Sequence, residues 1–283
     1  MKVIILINCP DKTGIVSSVT GFIHAQHGNI VYLDQHVDKS ANVFFMRLES
    51  DFTQKDFDVE VLKSSFKNDI ATNYQMDWSM HVDGVKPKMA IFVSKYNHCL
   101  YDLLSRFNSG ELDVEIPFIL SNHPDLNYIA EQFDIPYHYI PFSKSNRQEA
   151  EQKQLDLLDK YNVNFIVLAR YMQIVSEKLI SKFPNKIINI HHSFLPAFAG
   201  AKPYHAAFDR GVKIIGATCH YVTEELDAGP IIEQDVTTVS HTHAITDFIS
   251  KGRDLEKIVL SRGVKLHILR KTMVYNNKTV IFS

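Results

Sequence analysis

The sequence predicts two α/β domains in tandem. Residues 1–83 form a ferredoxin-like βαββαβ unit, and residues 89–283 form a larger, mostly parallel, doubly wound unit. Three observations carry this reading. Hydrophobic periods over the first eighty residues run strand, helix, strand, strand, helix, strand. From Met89 onward strand and helix patterns alternate, which calls for a parallel sheet covered on both faces. Between the two, Asp83-Gly84-Val85-Lys86-Pro87-Lys88 is polar and carries Gly and Pro, so 84–88 serves as a linker. A chain of 283 residues is long enough for two such domains.

In the first domain, residues 2–8 are a Val- and Ile-rich run, a buried strand. Cys9 to Gly14 is a turn, with Asp11 or Thr13 as cap of the next helix. Ile15, Val16, Val19, Phe22 and Ile23 share one helical face, and Gly28-Asn29 stops that helix. Residues 30–37 and 42–49 are strands joined by the polar turn Asp38-Lys39-Ser40-Ala41. Phe57, Val61, Leu62, Phe66 and Ile70 mark the second helix, and 75–82 is the last strand.

In the second domain the strands are 89–93, 116–120, 137–140, 165–168, 186–190 and 214–222. The helices are 98–109, 126–133, 147–161, 177–183 and 246–270. Asn276-Asn277 suits the turn of a terminal hairpin.

Composition narrows the function. Thirty basic and 32 acidic residues give a net charge of −2, which excludes the basic face of a nucleic-acid binder. Cys9, Cys99 and Cys219 lie far apart, with neither a disulfide framework nor metal-ligand spacing. They read as small buried residues of a reducing, cytoplasmic protein. The N-terminal apolar run is too short for a signal peptide, and no run approaches the ~20 residues of a membrane helix. The 11 glycines are nowhere close enough for GxGxxG. Gly211 and Gly216 have Walker spacing, but Ala217-Thr218 follows where Lys-Ser/Thr is required. His191, His192, His205 and His220 form no zinc motif. Neither a metal nor a tightly bound cofactor is expected.

Chemistry concentrates between Asn189 and Asp227. Strand alternation points Asn189 and His191 the same way at the C-terminal end of a strand, where α/β sheets bind ligands. Asn supplies a neutral donor, and His donates a hydrogen bond or exchanges a proton. Asp227 sits in a tight loop before Gly229-Pro230. Taken singly, Asp227 also reads as a turn cap and His191 as a core histidine. Together with Asn189 they make a set for attack on a carbonyl or formyl carbon.

Those residues also carry a resemblance. Asn189-Ile190-His191-x-Ser193-x-Leu195-Pro196, Gly200-Ala201-Lys202-Pro203 and Leu226-Asp227-x-Gly229-Pro230 resemble the formyltetrahydrofolate-dependent formyltransferase family. The resemblance implies 10-formyltetrahydrofolate as substrate and Asn189, His191 and Asp227 as catalytic residues. It implies a folate site along Arg170, Tyr171, Met172, Gln173, Ile174 and Val175. His220 and Ser193 are candidate supporting residues behind the trio. The stretch from Ser94 to Leu104, which lacks a phosphate-holding glycine loop, is similar to the hydrolytic, deformylase branch. So is Gly252-Arg253-Asp254-x-Glu256-Lys257. Water is then the acceptor, the products are formate and tetrahydrofolate, and the formate supplies purine synthesis. Transfer to an amine is the alternative, and an amino-acid sensor on an inactive domain is the non-enzymatic one. The first domain resembles the ACT family through Asn8–Val16, Asp34-Gln35-His36 and Phe44-Phe45-Met46-Arg47. That implies edge-to-edge pairing into a homo-oligomer and an amino-acid effector near Asp11, Thr13 and Gly14.

Overall fold

The fold is described from a computed structural model covering residues 1–54, 57–143, 145–197 and 203–283. The first compact unit is Met1–Val85 together with Ile281–Ser283, and the second is Lys86–Val280.

The first unit runs β1 (Lys2–Pro10), α1 (Ile15–Ala25), β2 (Asn29–Asp38), β3 (Val43–Asp51), α2 (Val59–Phe66) and β4 (Asp77–Val82). A π-helical segment, Lys67–Ala71, and the short α3 (Thr72–Tyr74) continue α2. The sheet order is β2-β3-β1-β4 with every neighbour antiparallel, the ferredoxin-like arrangement. Alternation along β1 sends Val3, Ile5, Ile7 and Cys9 into the core beneath Phe22 and Phe66. Asp38 shapes the β2–β3 turn by accepting from Ser40 N, Ser40 Oγ and Ala41 N.

Three local expectations are corrected. Gly14, not Asp11 or Thr13, starts α1: its φ of 95° turns the chain, and no side chain caps the helix. The helix stops at Gln26 and His27, whose φ is 59°. Gly28 is needed for space, because a Cβ there would stand 2.8 Å from Ile23 and Phe52. In the second helix Leu62 and Phe66 are buried and Val61 faces out, and the π segment then shifts the register so that Ala71 is buried while Ile70 is partly exposed.

The second unit contains β5 (Met89–Val93), α4 (His98–Asn108), β6 (Ile119–Ser121), α5 (Asn127–Gln132), β7 (Tyr137–Tyr139), α6 (Arg147–Lys160), β8 (Phe165–Ala169), α7 (Glu177–Lys182) and β9 (Ile187–His191). There follow α8 (Pro203–Arg210), β10 (Ile214–Tyr221), β11 (Ile231–Thr238), α9 (Ile245–Ile268) and the hairpin β12 (Thr272–Tyr275) and β13 (Lys278–Ile281), whose last residue is counted with the first unit. The sheet order is β11-β10-β9-β8-β5-β6-β7. Strands β9, β8, β5, β6 and β7 are parallel, while β10 is antiparallel to both β9 and β11. Every residue of β5 and β8 is buried, as a strand covered on both faces requires. Val259, Leu260 and Val264 of α9 join one face, and Leu155, Leu158 and Leu179 the other. From β5 the chain winds to β6 and β7 on one side, then returns to β8 and β9 on the other. The switch point therefore falls between the C-terminal ends of β5 and β8, where a ligand crevice forms.

The unit edges differ from the expected 84–88 linker and 89–283 domain. Pro87 O accepts from Glu115 N at 3.0 Å and Lys88 N donates to Asn164 Oδ1 at 2.8 Å, so both residues are tied into the second unit. Ser283 belongs to the first unit: its N and Oγ donate to Asp34 Oδ2 at 3.0 Å, which draws the Asp34 carboxyl below its ordinary value. No described helix is long and apolar enough to cross a membrane.

Candidate active site

The antiparallel pairing of β9 with β10 sets Asn189 opposite His220 and His191 opposite Thr218, so four polar side chains share one end of the sheet. Asp227 arrives from the loop after β10 with a φ of 56°. Two bonds hold that loop: Tyr221 N to Pro230 O at 2.9 Å, and Asn277 Nδ2 to Ala228 O at 2.8 Å.

Asp227 Oδ1 lies 3.2 Å from His191 Nδ1 and 3.8 Å from His220 Nε2. His191 Nδ1–H donates to this carboxylate, and that bond holds the Asp227 carboxyl below its usual value. Asp227 is therefore an anion at neutral pH. His220 Nδ1 lies 2.9 Å from Tyr221 O, which only an N–H can satisfy. Its Nε2 is then an acceptor and takes a hydrogen from Asn189 Nδ2 at 3.2 Å. Burial pushes the His220 pKa down, so the ring is neutral. His191 Nε2 is buried and has no partner among the described residues. Trio and alternation thus produce an anionic base, an orienting amide and one vacant ring nitrogen.

The His220 shift has a thermodynamic consequence. The unfolded ring titrates near 6.5 and the folded ring lower. Stability from this group is full above the unfolded value and falls as pH drops through the window beneath it. The urea midpoint is expected to fall between about pH 7.5 and about pH 5.5 by less in His220→Gln than in the unmodified protein. An equal fall in both would mean that His220 is protonated in the folded state.

The trio lines a cleft of about 370 Å³, walled by Leu168, Arg170–Val175, His192 and Val222. Met172 and Ile174 are well exposed along one wall. Tyr171 points inward: it is buried, packs edge-on to Phe92, and its hydroxyl accepts from Gln154 Nε2. Arg170, also buried, has a φ of 63°. The wall is fastened across the switch point, since Met172 N donates to Ser94 Oγ at 3.0 Å and Ser94 Oγ donates to Asn122 Oδ1 at 2.6 Å.

The formyl transferase family profile matches residues 87–264. A formyltetrahydrofolate deformylase of Synechocystis sp. is 49% identical over 279 residues, covering 99% of this chain and 98% of the relative. One of Bacillus subtilis is 44% identical over 280 residues, with 99% and 93% covered. The chain belongs to the formyltetrahydrofolate deformylase family. The crystal structure of a formyltetrahydrofolate deformylase from Pseudomonas syringae pv. tomato superposes with a TM-score of 0.97 at 44% identity, covering all of this chain and 95% of that one. The likeness to deformylases includes the first unit, which lies outside the formyl transferase profile.

Within this deformylase site some expected residues fall elsewhere. Ser193 follows the end of β9. Its carbonyl accepts from Thr218 Oγ1 at 2.8 Å, and its buried Oγ has no partner among the described residues. It lines a neighbouring apolar cavity of about 230 Å³ with Phe194, Tyr204 and Ile215. The strand ends at His191, so alternation no longer governs position 193. Thr218, unexpected from the sequence, does this tethering, accepting from Leu195 N at 3.0 Å as well. Gly200, Ala201 and Lys202 lie outside the described residues. Asp11, Thr13 and Gly14 form the β1–α1 turn of the first unit, where Asp11 N donates to Asn42 O. Ser94 and Asn122 were legible only through the rule that strand ends line the crevice.

Among the described residues, His98, Cys99 and Glu256 bring metal-ligating atoms close together. Both Glu256 oxygens are engaged, by His98 and by Tyr204, and burial pushes the Cys99 thiol up. The Arg170 guanidinium also stands 3.4 Å from Glu256 and disfavours a second cation at that carboxylate.

Proposed function

We propose that the chain hydrolyses 10-formyltetrahydrofolate to formate and tetrahydrofolate with Asn189, His191 and Asp227 as catalytic residues. The observation that carries this reading is the Asp227–His191–Asn189 arrangement in a cleft with an apolar wall. The folate lies along Met172–Val175, with Arg170 and Tyr171 supporting that wall from behind. Water oxygen adds to the formyl carbon and Asp227 takes its proton. Asn189 Nδ2–H and the Nε2–H of a protonated His191 stabilise the oxyanion as it forms. The carbon–N10 bond then breaks and the proton passes to N10, releasing formate and tetrahydrofolate. His220 keeps Asn189 oriented through its Nε2.

The test is purified protein with 10-formyltetrahydrofolate and no amine, followed by assay of formate. Release at catalytic rates supports hydrolysis. Release of formyl groups only to an added amine would make the chain a transferase. Ser94→Ala leaves Met172 N and Asn122 without their shared partner, a loss of about 1–3 kcal/mol. Because it loosens the wall and leaves the trio alone, it is expected to raise KM for the folate more than it lowers kcat. A lowered kcat at unchanged KM would place Ser94 in the chemistry instead.

The first unit acts in this reading as an ACT-type regulatory module. Its support is the β2-β3-β1-β4 sheet, whose edges are available for pairing with a second copy, and the turn at Asp11, Thr13 and Gly14 as effector contact. Light scattering and calorimetric titration with amino acids test both. Three free, buried cysteines fit a cytoplasmic setting, in which the released formate feeds purine synthesis and balances one-carbon folates.

A further inference from the structure

The wall of the cleft begins with a backbone conformation that an arginine does not adopt freely. Arg170 is the first residue after β8, and its φ of 63° is left-handed, a region that costs free energy for a residue with a Cβ. Beyond that turn Tyr171 enters the core and Met172 N meets Ser94 Oγ. A strained residue persists only where its surroundings hold it, and here the holding contacts are made by its own side chain. Arg170 is buried, its Nε stands 3.4 Å from Glu256 Oε2, and the Tyr96 ring covers its guanidinium with the centroid 5.0 Å away.

Glu256, on α9, is 1% exposed. His98 Nε2–H donates to its Oε2 at 2.8 Å and the Tyr204 hydroxyl to its Oε1 at 2.6 Å. Burial alone would raise this carboxyl, but the His98 hydrogen bond and the Arg170 charge outweigh it and hold the group below its ordinary value. Gly252, one turn before Glu256, makes the seat for Tyr204: a Cβ there would stand 2.1 Å from the ring. Glu256 is therefore an anion fixed from several elements. Among the described residues, Arg170 walls the cleft and Glu256 does not, so the carboxylate meets the wall through Arg170.

We propose that Glu256 is a positioning residue for the folate: it pins Arg170 in its left-handed conformation and so fixes the Met172–Val175 wall. The inference rests on the folate reading above. A buried guanidinium that loses its carboxylate is driven toward solvent. The strain at position 170 then relaxes and carries Met172 away from Ser94. The trio stands on β9 and the loop after β10, so binding suffers more than the chemical step.

The experiment is a double-mutant cycle of Glu256→Gln and Arg170→Gly in the full-length protein. It reads KM and kcat for formate release, and the calorimetric Kd of tetrahydrofolate. Glu256→Gln keeps the shape and an acceptor for Tyr204 while removing the charge. It is expected to raise KM and Kd roughly ten- to hundredfold, the range for losing a charged partner, with a smaller change in kcat. Glycine takes the left-handed backbone without being held there. In the Arg170→Gly background the same step is therefore expected to change KM and Kd by no more than about twofold. Equal steps in both backgrounds overturn the proposal, as does a loss confined to kcat. Should Glu256→Gln fail to fold, Tyr96→Leu decides, since that residue is 41% exposed. Uncovering Arg170 is expected to raise KM about two- to fivefold, and an unchanged KM overturns the proposal. An unmodified protein that binds tetrahydrofolate but releases no formate overturns the hydrolytic reading instead, and Kd alone then tests the role of Glu256.

Discussion

Asp227→Asn is expected to lower formate release by about a hundredfold to ten-thousandfold while leaving the fold intact. The two side chains have the same shape, and Asn adopts the left-handed backbone of position 227 as readily as Asp. Stability should therefore change little. What disappears is the anion. His191 Nδ1–H holds the Asp227 carboxyl below its ordinary value, so the native group remains a proton acceptor through the neutral range. Its contribution to activity is lost only as pH falls beneath the usual carboxylate range. The neutral amide cannot accept the proton from water at any of these pH values. Steady-state kcat beside circular dichroism and a urea titration decides the matter. Near-normal turnover in a folded Asp227→Asn protein would remove Asp227 as the base.

How much of this was legible in the sequence follows from the range of the interactions. Met89–Val93 and Phe165–Ala169 are unbroken apolar runs, and as central parallel strands they had to be. Asn189 and His191 are two residues apart in one strand, so a local period placed them together. Beyond the strand end that rule lapses, and Ser193 lines the neighbouring cavity. Strand β11 was missed because Glu233, Gln234 and Asp235 dilute its alternation at the sheet edge. The Glu256 cluster is the least legible feature. Its His98 partner lies 158 residues away and its Tyr204 partner 52, distances at which only the fold decides who meets. The motif around Gly252 and Glu256 signalled family membership without revealing that both residues serve one tyrosine.

Gly229→Ala is expected to cost about 3 kcal/mol, the upper end for overpacking, and to lower kcat about a hundredfold. A Cβ at this position would lie 1.8 Å from Tyr221 O and 2.9 Å from Tyr221 C. Both are backbone atoms of β10, so no side-chain rotation relieves the collision. The Tyr221 N to Pro230 O bond must open or the loop must move. Asp227 lies two residues upstream, and its 3.2 Å contact with His191 depends on the same loop. A displacement of about 1 Å is enough to lose such a geometry. Gly211→Ala separates this effect from a general cost of replacing glycine. Gly211 has a φ of 69°, but open space surrounds its Cβ direction, so about 1 kcal/mol of backbone strain and unchanged kcat are expected. If Gly229→Ala retained full turnover, the loop would have yielded without moving Asp227, and the close approach to Tyr221 would be a packing feature only.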